Sequence, residues 1–138
     1  MTMNPPKNGI VTKQYLQDNP TAVFVFGDNL DRIGRGGAAA LRDHPQSIGF
    51  ITKKTPSHRP AAYFFPDEYR PVFDKEVIHL CRTISRNPDK TYLISPVGSG
   101  LANAYGIFQQ VIDGPLQQAL GQFSNVVILW ESSTNISQ

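Results

Sequence analysis

The sequence has one cysteine, little net charge and no long apolar segment. Because Cys81 is the only cysteine among 138 residues, no intramolecular disulfide can form, which is typical of a reducing compartment. The formal net charge of +2 is too small for the concentrated basic face that nucleic-acid binding normally needs. No run approaches the roughly 20 apolar residues of a membrane-spanning helix, and the first residues lack the apolar core of a signal peptide. These absences predict a cytoplasmic protein and argue against membrane and nucleic-acid partners.

The composition that remains is that of a folded protein. Hydrophobic residues make up 40% of the chain and charged residues 17%, and aromatic residues are well represented. The length suits one hydrophobic core and is too short for two independent ones. We therefore predict a single domain over residues 1–138, with loose ends at residues 1–7 and 132–138.

Strand and helix patterns alternate along the chain. Strands are predicted over residues 22–26, 47–52, 61–65, 91–95 and 125–130, the second and third of these forming a hairpin. A helix is predicted from Pro71 to the Asn87-Pro88-Asp89 stop, a shorter one begins at Ala38, and another passes through Val111 and Leu120. This alternation predicts an α/β protein, a three-layer α/β/α sandwich with a mixed, mainly parallel central sheet.

Two of the predicted strands run directly into glycine-rich segments. We call residues 27–38 the first glycine loop and residues 96–106 the second glycine loop. Ligands of such sheets bind beyond the carboxyl ends of the strands, which is where both segments lie. Glycine lets backbone N–H groups approach a phosphate closely, and a following helix would offer its positive N-terminus to the anion. The alternative is that the glycines only make tight turns, and the sequence leaves both interpretations open.

The common nucleotide-binding motifs do not match these loops. A Walker motif ends in Gly-Lys-Ser/Thr, whereas Gly36-Gly37 is followed by Ala38-Ala39. The dinucleotide fingerprint fits only in part, and no acidic residue stands near residues 53–57, where a ribose contact is expected. A P-loop enzyme and a classical dehydrogenase are both poor fits.

The two loops resemble those of the macrodomain family. Phe24-Val25-Phe26-Gly27-Asp28-Asn29-Leu30 with Gly34-Arg35-Gly36-Gly37-Ala38 resembles the first signature of that family, and Ile94-Ser95-Pro96-Val97-Gly98-Ser99-Gly100 with Tyr105-Gly106-Ile107 is similar to its phosphate-clasping loop. The likeness is to a compact branch from phages and bacteria. It implies a macrodomain-like fold that binds ADP-ribose or a related nucleotide, with the diphosphate between the loops, the distal ribose near Asn29 and aromatic cover from Tyr105.

The candidate site residues follow from the loops and the resemblance together. Asp28 and Asn29 are the candidates for catalysis, although Asp28 is also interpreted as a cap that shapes the loop, and this is the commoner role of Asp beside Asn and Gly. The ligand-binding candidates are Gly27, Gly34, Arg35, Gly36, Gly37, Ala38, Gly98, Ser99, Gly100, Asn103 and Tyr105. No metal site and no cofactor are predicted, since no histidine has a partner at metal-ligand spacing.

Two departures from the family pattern shape the functional expectation. Ile10 stands where macrodomains carry an Asp for the adenine amine, and the stretch after Gly37 is alanine where hydrolytic members carry an acidic residue. We therefore expect ligand binding with at most weak ADP-ribosyl hydrolase activity. The alternative function is a non-catalytic interaction module or homo-oligomer in which aromatic side chains form the contact surface: Tyr63, Phe64, Phe65 and Tyr69.

Overall fold

Four strands form one sheet in residues 4–131, the part of the chain that the computed structural model describes. The strands are β1 (Ala22–Asn29), β2 (Ser47–Lys53), β3 (Thr91–Ile94) and β4 (Val126–Ile128). Their order is β2-β1-β3-β4 and each neighbouring pair is parallel. The predicted α/β architecture with a central first strand is confirmed. The sheet is not mixed within residues 4–131, because all three strand pairs there are parallel.

The described residues form three α-helices, of which the second and third connect strands and the first precedes β1. They are α1 (Lys13–Asp18), α2 (Pro66–Arg86) and α3 (Asp113–Leu120), and a π-helical turn over Phe108–Ile112 leads directly into α3. Helix α2 begins at Pro66 rather than at Pro71, and the Glu68 carboxylate accepts a hydrogen bond of 2.8 Å from the backbone N–H of Phe65 just before the helix. This contact satisfies one of the N–H groups that a helix start leaves unpaired.

Helices pack on both faces of the sheet. Val23 and Val25 of β1 belong to a large apolar cluster that includes the buried face of α2, whereas Ala22 belongs to a second cluster with Leu16 of α1. Because successive strand residues point to opposite faces, the continuous apolar run of β1 is what a strand covered on both sides requires.

The prediction of a helix that begins at Ala38 is wrong. The segment forms a single 3-10 turn, Gly37–Ala39, followed by further turns up to β2. Three alanines favour helix, but helix formation has a costly first turn, and His44-Pro45 stops the segment before enough hydrogen bonds accumulate. The first glycine loop therefore has no α-helix behind it.

The prediction of a hairpin formed by residues 47–52 and 61–65 is also wrong. β2 forms as predicted, but its partner segment contains a 3-10 turn, Pro60–Ala62, and only Lys53 and Tyr63 make an antiparallel bridge. The inner side of β2 is already paired with β1, and Pro60 has no N–H to donate to a ladder. Tyr63 and Phe64 of this segment and Tyr69 of α2 are buried, so the expected surface of four exposed aromatic residues is reduced to Phe65.

The start of the chain packs onto the domain where the structure describes it. The Tyr15 hydroxyl donates a hydrogen bond of 2.6 Å to the backbone oxygen of Asn4, and Pro6 is buried. The predicted loose ends otherwise fall on residues 1–3 and 132–138, which lie outside the described residues. Within residues 4–131 no helix is long and apolar enough to cross a membrane.

Candidate functional site

A cleft of about 640 Å³ opens where β1, β2 and β3 end at the carboxyl edge of the sheet. The first glycine loop lines one side, the second glycine loop lines another, and residues from the end of β2 to His58 line a third. This is the edge at which parallel sheets with helices on both faces bind ligands. Its volume lies within the roughly 300–1,000 Å³ range of small-molecule sites.

Most of the predicted site residues meet in this cleft. Ten of them line it, although the two loops are far apart along the chain: Gly27, Asp28, Asn29, Gly34, Gly36, Gly37, Ala38, Gly98, Ser99 and Gly100. The remaining three, Arg35, Asn103 and Tyr105, are not among the lining residues that the structure describes.

Those three side chains have other partners. Arg35 forms an exposed ion pair with Asp43, which raises the pKa of the guanidinium. The Asn103 side chain accepts a hydrogen bond of 2.9 Å from the backbone N–H of Phe108, where the π-helical turn begins. Tyr105 stacks on Phe65 with ring centroids 4.3 Å apart, so its ring covers a surface aromatic rather than the cleft.

Asp28 is buried and paired with an arginine that the sequence did not single out. Arg42 donates to the Asp28 carboxylate at 2.6 Å and, with the same guanidinium, to the backbone oxygens of Ile33 at 2.9 Å and Gly34 at 2.7 Å. The carboxylate also accepts the backbone N–H of Asn29 at 2.8 Å and faces Arg32 at 3.4 Å. Both carboxylate oxygens thus have donors, and the Asp28–Arg42 pair ties the first glycine loop to the end of β1.

Asn29 carries an acceptor that nothing in residues 4–131 satisfies. The side chain is only 6% exposed, and its amide nitrogen donates to the backbone oxygen of Ile33 at 2.9 Å. Its Oδ1 atom is buried without a hydrogen-bond partner among the described residues. A buried acceptor without a donor costs free energy, so this unpaired oxygen is a feature of a cleft-lining residue that the fold by itself does not explain.

Both glycine loops also present backbone donors. Within residues 4–131 the N–H groups of Gly36, Gly37 and Ala38 donate to no backbone oxygen, and the same holds for Gly100 and for the two residues after it, Leu101 and Ala102. All six residues line the cleft. Successive unpaired backbone N–H groups are the usual protein partners of phosphate oxygens.

The glycines of the site fall into two groups. Gly98 has a φ of +82° and a Cβ there would lie 2.5 Å from the Ile112 side chain, so the fold itself requires glycine. Gly36 differs, because its φ of −86° is ordinary and no atom lies within 4 Å of a built Cβ. Nothing in the described protein demands glycine at Gly36.

Sequence reasoning missed several residues of the cleft. Lys53 and His58 line the third side, and they follow β2 as directly as the glycine loops follow their strands, so the same rule about strand ends could have found them. The exposed apolar residues Ile33 and Leu101, one from each loop, also line the cleft. Arg42 left no sequence signal, because its three acceptors come together only in the folded chain.

The position expected to contact the base lies elsewhere. Ile10 is 63% exposed and is not among the described residues that line the cleft. Within residues 4–131 no group of three His, Cys, Asp or Glu side chains is arranged to hold a metal ion.

Comparisons with known proteins give a family but no function. No curated protein and no solved structure matches the chain. A family model does match, over residues 6–106, which include β1 to β3 and both glycine loops. The chain belongs to this family of unknown function, DUF7831.

Proposed function

We propose that this protein binds ADP-ribose or a related phosphorylated nucleotide in the cleft between its two glycine loops, in the manner of a macrodomain. The observation that carries the proposal is the set of unpaired backbone N–H groups on residues of both loops that line one cleft. Two segments that converge on one volume are suited to hold a diphosphate between them.

The side chain of Asn29 is the observation that favours a sugar in the ligand. Asn29 lines the cleft and its Oδ1 atom is a buried acceptor without a partner among the described residues, and a ribose hydroxyl is a donor of the right kind once the side chain turns toward the ligand. The exposed apolar side chains of Ile33 and Leu101 flank the same volume and provide surface for a base or a sugar face.

The contacts of Asp28 favour binding over hydrolysis. A general base needs a free carboxylate oxygen directed at the attacking water, whereas both oxygens of Asp28 face arginine or backbone donors. The 3-10 turn after the first glycine loop contains no acidic residue. We propose that the protein recognises its ligand and does not hydrolyse it efficiently.

Gly36→Val tests the proposal with little risk to the fold. The backbone of Gly36 suits valine, a Cβ at this position has no protein atom within 4 Å, and Gly36 lines the cleft, so we expect the new side chain to enter the volume that the phosphate would occupy. We expect calorimetric titration with ADP-ribose to show binding by the wild type and at least tenfold weaker binding by the variant, about 1.4 kcal/mol.

Gly114→Val is the matched control. Gly114 lies in α3, its built Cβ also meets no atom within 4 Å, and it is not a described lining residue of the cleft. Circular dichroism spectra should be the same for all three proteins. Wild-type affinity in a folded Gly36→Val variant would overturn the phosphate position, and no ADP-ribose binding by the wild type would overturn the proposal.

A further inference from the structure

Lys53 lines the cleft as a cationic side chain that no carboxylate of the described residues neutralises. The titratable side chains that line it in residues 4–131 are Asp28, Lys53 and His58. Asp28 is already compensated by Arg42 at 2.6 Å and Arg32 at 3.4 Å. Lys53 has no carboxylate partner within the described residues, so the balance of formal charge in the cleft is positive.

The contacts of Lys53 hold its ammonium group beside the cleft. The Nζ atom donates to the backbone oxygen of Ser57 at 2.9 Å and lies 4.9 Å from the centre of the Tyr63 ring. Pro56 and His58, which flank Ser57, both line the cleft. An ammonium group has three donors, so two remain for a ligand after the bond to Ser57.

Three other cations near the two glycine loops and β2 are already paired. Arg35 is bound to Asp43 on the surface, Arg42 is bound to Asp28, and Lys54 is bound to Glu68 at 3.1 Å. Burial lowers the pKa of Lys53, which shows that its charge is incompletely solvated. The electrostatic attraction between an anion and this ammonium group is therefore stronger than that between an anion and a fully hydrated lysine.

We infer that Lys53 is the cationic contact of the ligand and that it pairs with a phosphate oxygen of the nucleotide. This inference rests on the proposed function and adds to it a residue outside both glycine loops. Backbone N–H groups position the phosphate, and Lys53 makes the cleft selective for a ligand with negative charge.

Two adjacent lysines allow a matched experiment. Lys53→Met keeps an apolar stem against Tyr63 and removes the charge, Lys53→Arg keeps the charge, and Lys54→Met removes the neighbouring charge that Glu68 already neutralises. ADP-ribose and inorganic pyrophosphate are titrated calorimetrically into each folded variant at low and at moderate salt. Thermal denaturation checks that the Lys53 variants retain their fold.

We expect Lys53→Met to weaken ADP-ribose binding about tenfold or more and to reduce its dependence on salt. Lys53→Arg should retain most of the affinity, and Lys54→Met should behave as the wild type. Wild-type affinity in Lys53→Met, equal losses in Lys53→Met and Lys53→Arg, or an equal loss in Lys54→Met would each overturn the assignment.

The two probes separate this inference from the proposed function. Pyrophosphate binding by the wild type that falls in Lys53→Met, without ADP-ribose binding, would support the role of Lys53 and overturn the nucleotide. ADP-ribose binding that is unaffected by Lys53→Met would support the nucleotide and overturn the role of Lys53. Failure of the wild type to bind either probe would overturn both.

Discussion

At the scale of single residues, the buried Asp28–Arg42 pair determines the form of the first glycine loop. Arg42 reaches the carboxylate and two loop oxygens with one planar guanidinium, and its side chain is only 13% exposed. Such a fork of donors fits several acceptors at once, which a lysine ammonium does not. The position of Gly34, Gly36 and Gly37 therefore depends on a residue that does not itself line the cleft.

Asp28→Ala should lower stability and ligand affinity together. Removing the carboxylate leaves Arg42 largely buried without its charged partner, a change that costs about 3–5 kcal/mol in comparable pairs. Urea denaturation measures the loss of stability, and Asp31→Ala, an exposed change in the same loop, is the control. A stable Asp28→Ala variant that binds ADP-ribose normally but lacks a turnover that the wild type shows would instead make Asp28 a catalytic residue.

At the scale of elements, α2 satisfies the outer edge of β2. The Tyr69 hydroxyl donates to the backbone oxygen of Ile51 at 2.6 Å, and the Glu76 carboxylate accepts the N–H of the same residue at 2.6 Å. An edge strand otherwise exposes such groups to other chains. These two contacts attach the 21-residue helix to the strand whose end provides Lys53.

Tyr69→Phe should destabilise the protein by about 1–3 kcal/mol at neutral pH, because it leaves the buried Ile51 oxygen without a donor. Burial raises the pKa of Tyr69 well above its ordinary value of 10.0, so the folded protein retains a proton that the unfolded chain releases. The stabilisation is complete below about pH 10 and declines by about 1.4 kcal/mol per pH unit above it. Denaturation at several pH values should show the wild type losing its advantage over the variant above pH 10. A difference independent of pH would contradict this assignment.

At the scale of the whole molecule, the parallel sheet brings the two glycine loops together. β1 and β3 are neighbours and run in the same direction, so the segments that follow them leave the sheet at one edge. Residues with unpaired backbone N–H groups and Asn29 line the cleft that results, but its only acidic lining residue within 4–131 is Asp28, which is already paired. Ile10 does not line it.

We therefore expect weak discrimination between bases. Without a free carboxylate for the adenine amine, ADP-ribose and its hypoxanthine analogue should bind with affinities within about tenfold, or 1.4 kcal/mol. Competition calorimetry with the two ligands measures the ratio. A stronger preference for adenine would show that backbone or amide groups of the cleft recognise the base.

The strands and glycine loops could be predicted from the sequence because their signals are local. The apolar run over residues 22–26 suits a buried strand whatever lies beside it, and glycines after a strand indicate a tight turn or a close approach of the backbone to another group. Parallel strands then follow from the alternation with helices, and ten of the predicted site residues consequently share one cleft.

Only the tertiary structure decided which side chains in and around that cleft have a partner within the protein. The sequence does not distinguish the roles of Arg42, Lys53 and Tyr105. In the folded chain Arg42 neutralises Asp28, Lys53 has no carboxylate partner among the described residues, and Tyr105 stacks on Phe65. The helix expected from Ala38 failed for a local reason instead, since the few residues before Pro45 allow too few helical hydrogen bonds to offset the cost of the first turn. The sequence determined the four strands of the sheet and the long helix, because local propensity acts over a few residues. Charge pairing and access to the cleft depend on contacts between distant segments, which no local pattern records.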